Sequence, residues 1–445
     1  MNRRAYIIFT REPVAGKTKT RLMPYYSPEQ CRDIHCAFLE DFRDMSRDVD
    51  ADIFVYYYSE NGEYPIVRDI FGDGVTYHEQ EGSDIGYKMY NAINDVLSLG
   101  YYSCVLTGTD IPKLRAESVN YALDSLEDYD CVVGRTTDGG YHLIGMKEAI
   151  SEPFHLEEYV SESVYENTMD AITSMGYSVL AVDEYSDIDT PTDIREFMRA
   201  MRYDSRLRKS HTGRFIDANA KVSVIVPVYN EEKTVIDLQV QLKKTATDAE
   251  VIFVDGGSTD KTVELISPSF KLVKSFKGRA CQMNEGARVA SGDILFFLHC
   301  DSRVPDDFIN QIRKVMEKHD YGCFGVRFDS KHFFMWTNRI ISNFRAWRRG
   351  IPFGDQGIFI DRGLFEEIGG FEEIPIMEDV EFSTTLRKKG YMPGKTKSRI
   401  TTSTRRYDGK WYQVMITEYK MWSFRRKYRH GKDVNEIAKE YGDVR

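Results

Sequence analysis

An alternation of short apolar runs with helical stretches occurs twice along this chain, and it constrains the fold more than any other feature. In the first half, strand-like runs at residues 5–10 and 103–107 stand on either side of helical segments. The second half begins the same pattern at 221–227 and continues it at 250–255 and 293–298. Parallel strands joined by crossover helices produce this alternation, so we predict α/β architecture with two mostly parallel sheets in tandem.

The length and the charge of the chain support a division into two domains. A chain of 445 residues exceeds what one hydrophobic core usually serves. Residues 206–220 are polar and basic and lack an apolar period, so we predict a linker there, between domains at 1–205 and 221–445. Residues 1–219 carry a formal charge of −17 and the remainder +7, which indicates that the two domains have different partners.

Composition argues against several classes of protein. No apolar run approaches the roughly 18 residues that a membrane-spanning helix needs, and the first residues lack the pattern of a signal peptide, so we expect a cytoplasmic protein. The seven cysteines are odd in number and have no Cys-x-x-Cys spacing, which argues against disulfides and structural zinc. A net charge of −10 without a recognisable nucleic-acid module argues against nucleic-acid binding.

Two polar motifs follow the first two predicted strands of the second half. VPVYNE at 226–231 opens a helix, and VDGGSTD at 254–260 places an acid before two glycines that allow a ligand to approach the backbone closely. In open α/β sheets, ligands bind beyond the carboxyl ends of the strands. An ordinary turn with a helix cap would also explain either motif alone.

Taken together, these motifs resemble the nucleotide-binding start of glycosyltransferase family 2. The resemblance covers residues 221–410 and continues through GRACQMNEGA (278–287), SGDILFFLHCD (291–301), GDQG (354–357) and MEDVEF (377–382). It implies a glycosyltransferase-A fold, which is Rossmann-like, and inverting, metal-assisted transfer of a sugar from a nucleotide-sugar donor. Three of the segments also look like a subgroup that is associated with radical enzymes and arsenosugar formation.

The resemblance implies donor-binding roles for six residues. Asp255 would recognise the base or the ribose of the donor, while Arg279 and Asn284 would line the nucleotide pocket. The other three belong to the first motif and are Pro227, Tyr229 and Glu231.

The resemblance also implies a divalent cation, Mg²⁺ or Mn²⁺, carried by Asp301. A hard cation with oxygen ligands neutralises the charge that develops on a diphosphate leaving group. The usual family pattern has two Asp residues flanking one position, and His299 replaces the first of them here. An imidazole ligand favours Mn²⁺ or another transition ion over Mg²⁺.

Asp379 is the residue that we expect to act as general base toward the acceptor hydroxyl. The neighbouring carboxylate of Glu378 would raise its pKa toward the working pH. The pair could instead be an acidic helix start without a catalytic role. Asp355 and Gln356, with the cluster at 345–349, resemble the segment that shapes the acceptor side, and the acceptor itself is a small molecule or a lipid.

The first half places Lys17, Lys19 and Arg21 in a loop directly after its first strand. Such a loop can bind phosphates, although the spacing is not that of a P-loop, and a solvated basic turn is the alternative. Residues 5–200 resemble an uncharacterised family of the glycosyltransferase-A superfamily that is related to molybdenum-cofactor and phospholactate nucleotidyltransferases. The resemblance implies that Asp110 and Asp189 share a metal while the three cations hold a triphosphate.

Three functions are compatible with this sequence. The first is a tandem enzyme in which the second half transfers a sugar and the first half binds a nucleotide or makes the activated donor. The second has nucleotidyl transfer as the main activity. In the third, the first half is a non-catalytic nucleotide-binding module.

The end of the chain is strongly basic. Residues 395–432 hold twelve Lys or Arg against two acids, and aromatic residues lie among cations at 419–429. Such a segment could seat a helix on an anionic lipid surface at the inner face of a membrane. It could equally be a terminal helix whose aromatic side chains pack on the catalytic domain.

Overall fold

The computed structural model describes residues 3–155, 163–329, 333–403 and 411–441. The chain divides into two compact units, Met1–Ile216 and Asp217–Arg445. Residues 404–410, part of the basic stretch at 395–432, lie outside the described ranges. Among the described residues, no helix is both long enough and apolar enough to cross a membrane.

Unit 1 is built around a seven-stranded sheet with the strand order β3-β2-β1-β4-β6-β5-β7. Its strands are β1 (Arg4–Arg11), β2 (Asp52–Tyr58), β3 (Thr76–Glu79), β4 (Ser103–Gly108), β5 (Cys131–Thr136), β6 (Tyr141–Met146) and β7 (Val179–Tyr185). Its helices are α1 (Pro28–Ser46), α2 (Pro65–Phe71), α3 (Ile85–Ser98), α4 (Ala116–Ser125), α5 (Val164–Ser174), α6 (Pro191–Tyr203), α7 (Ser205–Lys209) and α8 (His211–Asn219).

Unit 2 contains an eight-stranded sheet with the order β10-β9-β8-β11-β14-β13-β15-β12. Its strands are β8 (Val222–Val228), β9 (Glu250–Asp255), β10 (Lys271–Lys274), β11 (Ile294–Phe297), β12 (Ser302–Arg303), β13 (Tyr321–Phe328), β14 (Ile358–Asp361) and β15 (Gly394–Thr402). Its helices are α9 (Val235–Thr245), α10 (Thr262–Leu265), α11 (Arg279–Val289), α12 (Phe308–Met316), α13 (Phe333–Arg349), α14 (Arg362–Glu367), α15 (Glu378–Lys388), α16 (Trp411–Arg429) and α17 (Val434–Tyr441).

The two sheets share one topology over seven strands, and unit 2 adds β12, which pairs antiparallel with β15 at the edge. In each, the first three strands and the fourth pair in parallel, the next strand in space is antiparallel to both of its neighbours, and a parallel pair follows it. The predicted α/β class, with two mostly parallel sheets, is confirmed. The antiparallel strands β6 and β14 were not predicted, because an apolar run does not state its direction.

Both faces of the unit 1 sheet are buried, as the continuous apolar run of β1 requires. Tyr6 and Ile8 face one core cluster, and Ala5, Ile7 and Phe9 face the other. This alternation leaves the carboxyl end of β1 as the part of the strand that can reach a ligand, and the predicted cationic loop begins there.

Residues 206–220, which we predicted to be a linker, are mostly helical. Leu207 of α7 and Ile216 of α8 are buried in a cluster of unit 1. The first turn of α8 is capped from far away in the sequence, because the Asp41 carboxylate accepts from the backbone N–H groups of His211 (2.7 Å) and Thr212 (3.0 Å). Neither a cap from a distant residue nor two isolated apolar contacts gives the sequence a helical period. The helices in this range therefore could not be predicted from the pattern.

Candidate functional site

The loops that follow β8 and β9 are joined by hydrogen bonds at the carboxyl edge of the unit 2 sheet. The backbone N–H of Asn230 donates to Ser258 Oγ (3.0 Å), and Asn230 Oδ1 accepts from the N–H of Thr259 (2.8 Å). The N–H of Glu231 donates to Thr262 Oγ1 (2.7 Å). Asn230 has a φ of +55°, a strained value that these bonds hold in place. The two motifs therefore form one surface.

The members of the first motif take different positions at this edge. Pro227 lies inside β8, opposite Val254, and the ladder to β9 continues beyond it. The Tyr229 hydroxyl accepts from Lys277 Nζ (3.2 Å), and this ammonium lies 4.4 Å from the centre of the Tyr229 ring. The Glu231 carboxylate accepts from a threonine hydroxyl in its own turn. Tyr229 with Lys277 therefore supplies the cation and the ring on the donor side.

Asp255 ends β9 and orders the glycine turn after it. The carboxylate is 5% exposed and accepts from the backbone N–H groups of Gly257 and Ser258, each at 3.1 Å. Asp255 is thus fixed in orientation before any ligand arrives, as a specificity residue needs to be.

Gln282, which sequence reasoning missed, holds the ends of β8 and β9 together. Its buried amide donates to the carbonyl oxygens of Val228 (2.7 Å) and Val254 (2.8 Å). A Cβ on Gly256 would lie 2.9 Å from the Gln282 carboxamide carbon, so the first glycine of the motif is needed to seat this side chain. Its place within the GRACQMN segment was the feature of the sequence that could have drawn attention to Gln282.

A buried arginine connects the predicted catalytic and metal-binding residues. Arg279 starts α11, and its Nη1 lies 3.5 Å from Glu378 Oε1. Burial lowers the pKa of this guanidinium, but the carboxylates of Glu378, Asp379 and Asp301 together raise the pKa above its ordinary value. Acids from two separate motifs therefore act on one cation, and Glu378 is in contact with it.

The acidic pair occupies the first turn of α15, where Met377 has a φ of +73° just before it. Burial, followed by repulsion from Asp379, raises the pKa of Glu378, and Arg279 opposes the rise. Asp379 Oδ2 accepts from the backbone N–H of Gly354 (2.9 Å). One oxygen of Asp379 is thus held by the loop at residue 354.

Gly354 lies between His299 and Asp379. A Cβ at this position would be 2.8 Å from His299 Nε2 and 3.7 Å from Asp379 Oδ2. Because glycine has no Cβ, the space beside the imidazole and the carboxylate stays open. Gly354 was quoted as part of a motif, but sequence reasoning did not assign it a role.

An imidazole nitrogen and the Asp301 carboxylate are suitable donors for Mn²⁺ or Mg²⁺, and the space beside Gly354 fits an ion or a phosphate oxygen. Within the described ranges, no group of three or more His, Cys, Asp or Glu side chains is arranged to hold a metal. Mg²⁺-type cations are commonly held by one or two protein ligands together with substrate phosphates and water. The residues therefore fit a cation that binds with a diphosphate.

Two residues that we predicted to line the ligand site make hydrogen bonds within the fold. Gln356 is fully buried, and its Oε1 accepts from Arg345 Nη2 (3.3 Å) and from the N–H of Phe353 (3.2 Å). Asn284 pairs with both backbone groups of Phe371, at 2.9 and 2.8 Å. Both side chains position loops around the site.

Asp355 lies in the short turn between Gly354 and Gln356. Its side chain is half-buried, and its backbone carbonyl accepts from Thr402 Oγ1 (3.3 Å) in the last residue of β15. The predicted role of Asp355 on the acceptor side stays a prediction.

In unit 1, Lys19 joins the two acids that we expected to share a metal. Its Nζ lies 2.9 Å from Asp110 Oδ1 and 2.7 Å from Asp189 Oδ1, and it also donates to the carbonyl of Ile188 (2.8 Å). The Lys19 side chain is only 6% exposed. Burial lowers the pKa of Lys19, but the two carboxylates raise it above its ordinary value.

The expected metal therefore does not fit between Asp110 and Asp189. A shared Mg²⁺ would take oxygens from both at about 2.0–2.1 Å, and the Lys19 ammonium occupies the position between the same two oxygens. The sequence shows Lys19 in the loop, but the two acids that pair with it are about 90 and 170 residues away. A local pattern therefore could not predict the pairing.

The other two predicted phosphate-binding cations are exposed. Lys17 pairs with Glu60, and both side chains are more than half exposed. Arg21 Nη1 lies 3.6 Å from Asp189 Oδ2, and its side chain is 72% exposed. Only Lys19 of the three is built into the core of the unit.

Comparison with known proteins distinguishes the two units. Residues 42–159 match a family described as an uncharacterized protein conserved in bacteria (DUF2064). Residues 223–371 match the family described as glycosyl transferase family 2, and this range includes Asp255, Arg279 and Asp301. Unit 2, which contains this match, is called the glycosyltransferase domain below. The matched range ends before Asp379.

Relatives of the glycosyltransferase domain are found in several bacteria. The chain is 32% identical over 108 residues to an uncharacterized glycosyltransferase of Haemophilus influenzae, covering 22% of this chain and 43% of that protein. It is 27% identical over 156 residues to an undecaprenyl-phosphate 4-deoxy-4-formamido-L-arabinose transferase of Photorhabdus laumondii, covering 32% and 48%. The chain thus spans less than half the length of either relative.

Among solved structures, the chain is similar to a mannosyltransferase of Pyrobaculum calidifontis in complex with GDP-Man and Mn²⁺. The two are 22% identical, with coverage of 51% of this chain and 70% of that one and a TM-score of 0.37.

The glycosyltransferase domain and unit 1 share a register at their ligand-binding edges. In unit 1, Gln80 Nε2 donates to the carbonyls of Thr10 (2.6 Å) and Tyr56 (3.0 Å), and Thr10 is opposite Tyr57. In the glycosyltransferase domain, Gln282 bonds the equivalent carbonyls, and Val228 is opposite Asp255. Tyr57 therefore occupies in unit 1 the place of Asp255.

Replacement of that carboxylate changes what unit 1 can recognise. Tyr57 is 7% exposed, and its ring stacks on that of Tyr64 with centres 3.8 Å apart. A buried, stacked ring cannot accept hydrogen bonds from a base or a ribose as a carboxylate does. Unit 1 thus has the framework of the glycosyltransferase domain with a different ligand edge.

We expect Asp187→Asn to stabilise the protein at neutral pH. Burial, and then repulsion by Asp138 and Asp189, raises the pKa of Asp187 from 3.8 to about 6. The folded state therefore favours the protonated acid, so this contribution to stability is present below pH 3.8 and is lost as pH rises to about 6.

At pH 7–8 the free energy of unfolding of the variant should be about 1 kcal/mol higher than that of the wild type, so the variant should unfold at a higher temperature. Near pH 4 the two proteins should be equally stable. Thermal unfolding across this range tests the expectation. A variant of equal or lower stability at pH 7.5 would contradict it, and Asp183→Asn, at an exposed site nearby, is the control.

Proposed function

We propose that the glycosyltransferase domain transfers a sugar from a nucleotide-sugar donor to an acceptor hydroxyl with inversion at the anomeric carbon. The observation that carries this proposal is that Gly354 lies beside His299 and Asp379, while the carboxylates of Asp379 and Asp301 both act on the buried Arg279. Four separate motifs supply these residues, and they meet at the edge where ligands of open α/β sheets bind. The proposal rests on these family-wide motifs and not on the resemblance to arsenosugar-associated enzymes.

The donor would bind across the joined loops after β8 and β9. Asp255, fixed by the N–H groups of Gly257 and Ser258, would accept hydrogen bonds from the base or the ribose. Lys277 beside Tyr229 offers a cation to the phosphates and a ring to the nucleoside. The close approach of a phosphate to the backbone is possible at Gly256 and Gly257.

The proton of the acceptor hydroxyl would pass to Asp379. As the acceptor oxygen forms its bond to the anomeric carbon, the bond from that carbon to the diphosphate oxygen breaks, and the electron pair leaves with the diphosphate. Gly354 holds one oxygen of Asp379, so the other can face the acceptor. Arg279 offsets the charge of Glu378, which lets the two carboxylates occupy neighbouring positions.

His299 and Asp301 would hold a divalent cation. When bound, such a cation neutralises the charge of the departing diphosphate as a Lewis acid. Because His299 and Asp379 both lie beside Gly354, a cation held by His299 would be close to the proposed general base.

Asp301→Asn should weaken Mn²⁺ binding by about 10- to 100-fold, the usual effect of disturbing a metal site. Electron paramagnetic resonance of free Mn²⁺, titrated with the full chain and a nucleoside diphosphate, measures this without any turnover. Asp306→Asn is the matched control, because its side chain is 78% exposed. Equal Mn²⁺ affinity in Asp301→Asn and in wild type would remove Asp301 from the metal site.

The function is tested by incubating the full chain with Mn²⁺ and a panel of UDP- and GDP-sugars while free nucleoside diphosphate is measured. Release from one donor, lost in Asp301→Asn, would support the proposal and identify the donor. Binding without release would mean that the acceptor is required for turnover. Neither binding nor release from any donor would contradict it.

A further inference from the structure

Helix α13 exposes apolar side chains to solvent along one face. Trp336, Ile340 and Phe344 recur every four residues and are 50%, 47% and 54% exposed, and the adjacent Ile341 is 63% exposed. Side chains four residues apart lie above one another on a helix, so these four form a continuous apolar stripe. A stripe of this kind on a monomer usually marks a binding surface.

The opposite face of α13 is packed, so the exposed stripe is a fixed feature. Both backbone groups of Val326 in β13 bond the Asn343 carboxamide, at 2.8 and 3.2 Å. Ser342 and Ala346 are buried beside it. Turning the helix to cover the stripe would break these buried contacts.

Helix α16 has the same two-sided character. Ile416, Tyr419 and Trp422 recur every three residues and are 49%, 68% and 50% exposed. On the other side, Phe424 is 6% exposed in a cluster with Val380 of α15 and Ile437 of α17. The Tyr428 hydroxyl donates to Glu381 Oε2 (2.8 Å). Of the two interpretations of the basic tail, packing on the domain therefore describes one side of α16. The exposed side remains available for contact with a lipid surface.

Helices α13 and α16 both place an arginine over the ring of Phe353. The guanidinium carbon of Arg345 in α13 lies 3.2 Å from the centre of the Phe353 ring, and that of Arg425 in α16 lies 5.3 Å from it. Phe353 directly precedes Gly354, whose N–H binds Asp379. Any surface that covers both helices therefore adjoins the proposed general base.

The charge of these helices selects the kind of surface. Helix α13 contains four arginines and no acidic residue, and α16 contains five cations and a single acid. Apolar and aromatic side chains among cations suit the interface of an anionic bilayer. A second copy of the same face would bring like charges together, which is unfavourable.

We propose that the exposed stripes of α13 and α16 form a docking face for an anionic lipid bilayer, and that the sugar acceptor is carried by a lipid. The docking face consists of Trp336, Ile340, Ile341, Phe344, Ile416, Tyr419 and Trp422. The second statement rests on the proposed transfer; the first does not. Docking places the lipid headgroups beside Phe353 and thus beside Asp379.

Flotation of the full chain with vesicles tests the docking face directly. The wild type should float with phosphatidylglycerol–phosphatidylcholine vesicles, and less with pure phosphatidylcholine or at high salt, since salt screens the cations. Ile341→Glu should bind at least about tenfold more weakly. Val240→Glu is the matched control, because Val240 is also an aliphatic residue on a helix of the same unit and is 67% exposed.

Tryptophan fluorescence gives a second readout that does not depend on a variant. Brominated lipids should quench the emission, because Trp336 and Trp422 lie on the docking face, and Trp336→Phe should reduce the quenching. Equal binding to neutral and anionic vesicles, equal binding by Ile341→Glu, or a dimer that excludes vesicles would overturn the proposal. Diphosphate release without vesicle binding would reject docking alone, whereas vesicle binding by a chain that neither binds nor cleaves any donor of the panel would reject the proposed transfer alone.

Discussion

Asp379→Asn should reduce transfer to the acceptor by about 10²- to 10⁴-fold while donor affinity changes little, as expected for loss of a general base. The asparagine has the same shape, and its Oδ1 can still accept from the N–H of Gly354, which now bonds Asp379 Oδ2 at 2.9 Å. The fold and the loop at 354 should therefore persist. The measurement is nucleoside diphosphate release in the presence of acceptor, together with titration of donor binding.

Asp110→Asn is the control that separates the two units. Asp110 and Asp301 follow the fourth strand of their respective sheets in the same register, but we place the transfer in the glycosyltransferase domain alone. Turnover should survive Asp110→Asn. If Asp379→Asn kept more than about a tenth of wild-type turnover, Asp379 would not be the base; if Asp110→Asn abolished it, unit 1 would be needed for the transfer.

The sequence contained enough information to predict the architecture and to place several candidate site residues at the ends of strands. Apolar runs followed by polar motifs gave two mostly parallel sheets, because burial on both faces of a parallel sheet leaves such runs visible. The same runs located Asp255, Asp301 and Asp110 at the carboxyl ends of strands. Those positions depend on local pattern, which a single sequence records directly.

What could not be predicted depends on contacts between distant residues. Gln282 and Asn284 come from one segment, yet one joins two strand ends and the other ties down the backbone of Phe371. A motif does not say which of its polar side chains faces a ligand and which satisfies a buried backbone group. The predicted role of Gln356 on the acceptor side did not foresee that its side chain is fully buried.

The role of Lys19 shows the same limit most clearly. The loop at 10–22 predicts a cluster of cations, but burial separates them, leaving Lys17 and Arg21 exposed and Lys19 inside. The prediction that all three cations bind phosphate assumed that they are equally accessible. An ammonium bonded by two carboxylates is part of the fold before it can be part of any ligand site.

Lys19→Met should destabilise unit 1 by about 3 kcal/mol, because removing one partner of a buried ion cluster leaves the other charges uncompensated. For a unit of this size, the loss corresponds to a fall in unfolding temperature of roughly 6–12 °C. The side chains of Asp110 and Asp189 are 45% and 34% exposed, so water relieves part of their repulsion and the effect should not exceed this range. Calorimetry of the full chain measures it.

Lys17→Met provides the matched control for this prediction. It removes the same charge from the same loop, but its pair with Glu60 is exposed, so the change should stay within about 0.5 kcal/mol. Adding Asp189→Asn to Lys19→Met should restore part of the loss, since one of the two opposed carboxylates is then neutral. If both lysine variants unfolded at the wild-type temperature, Lys19 would be an ordinary surface cation, and a metal shared by Asp110 and Asp189 would again fit unit 1.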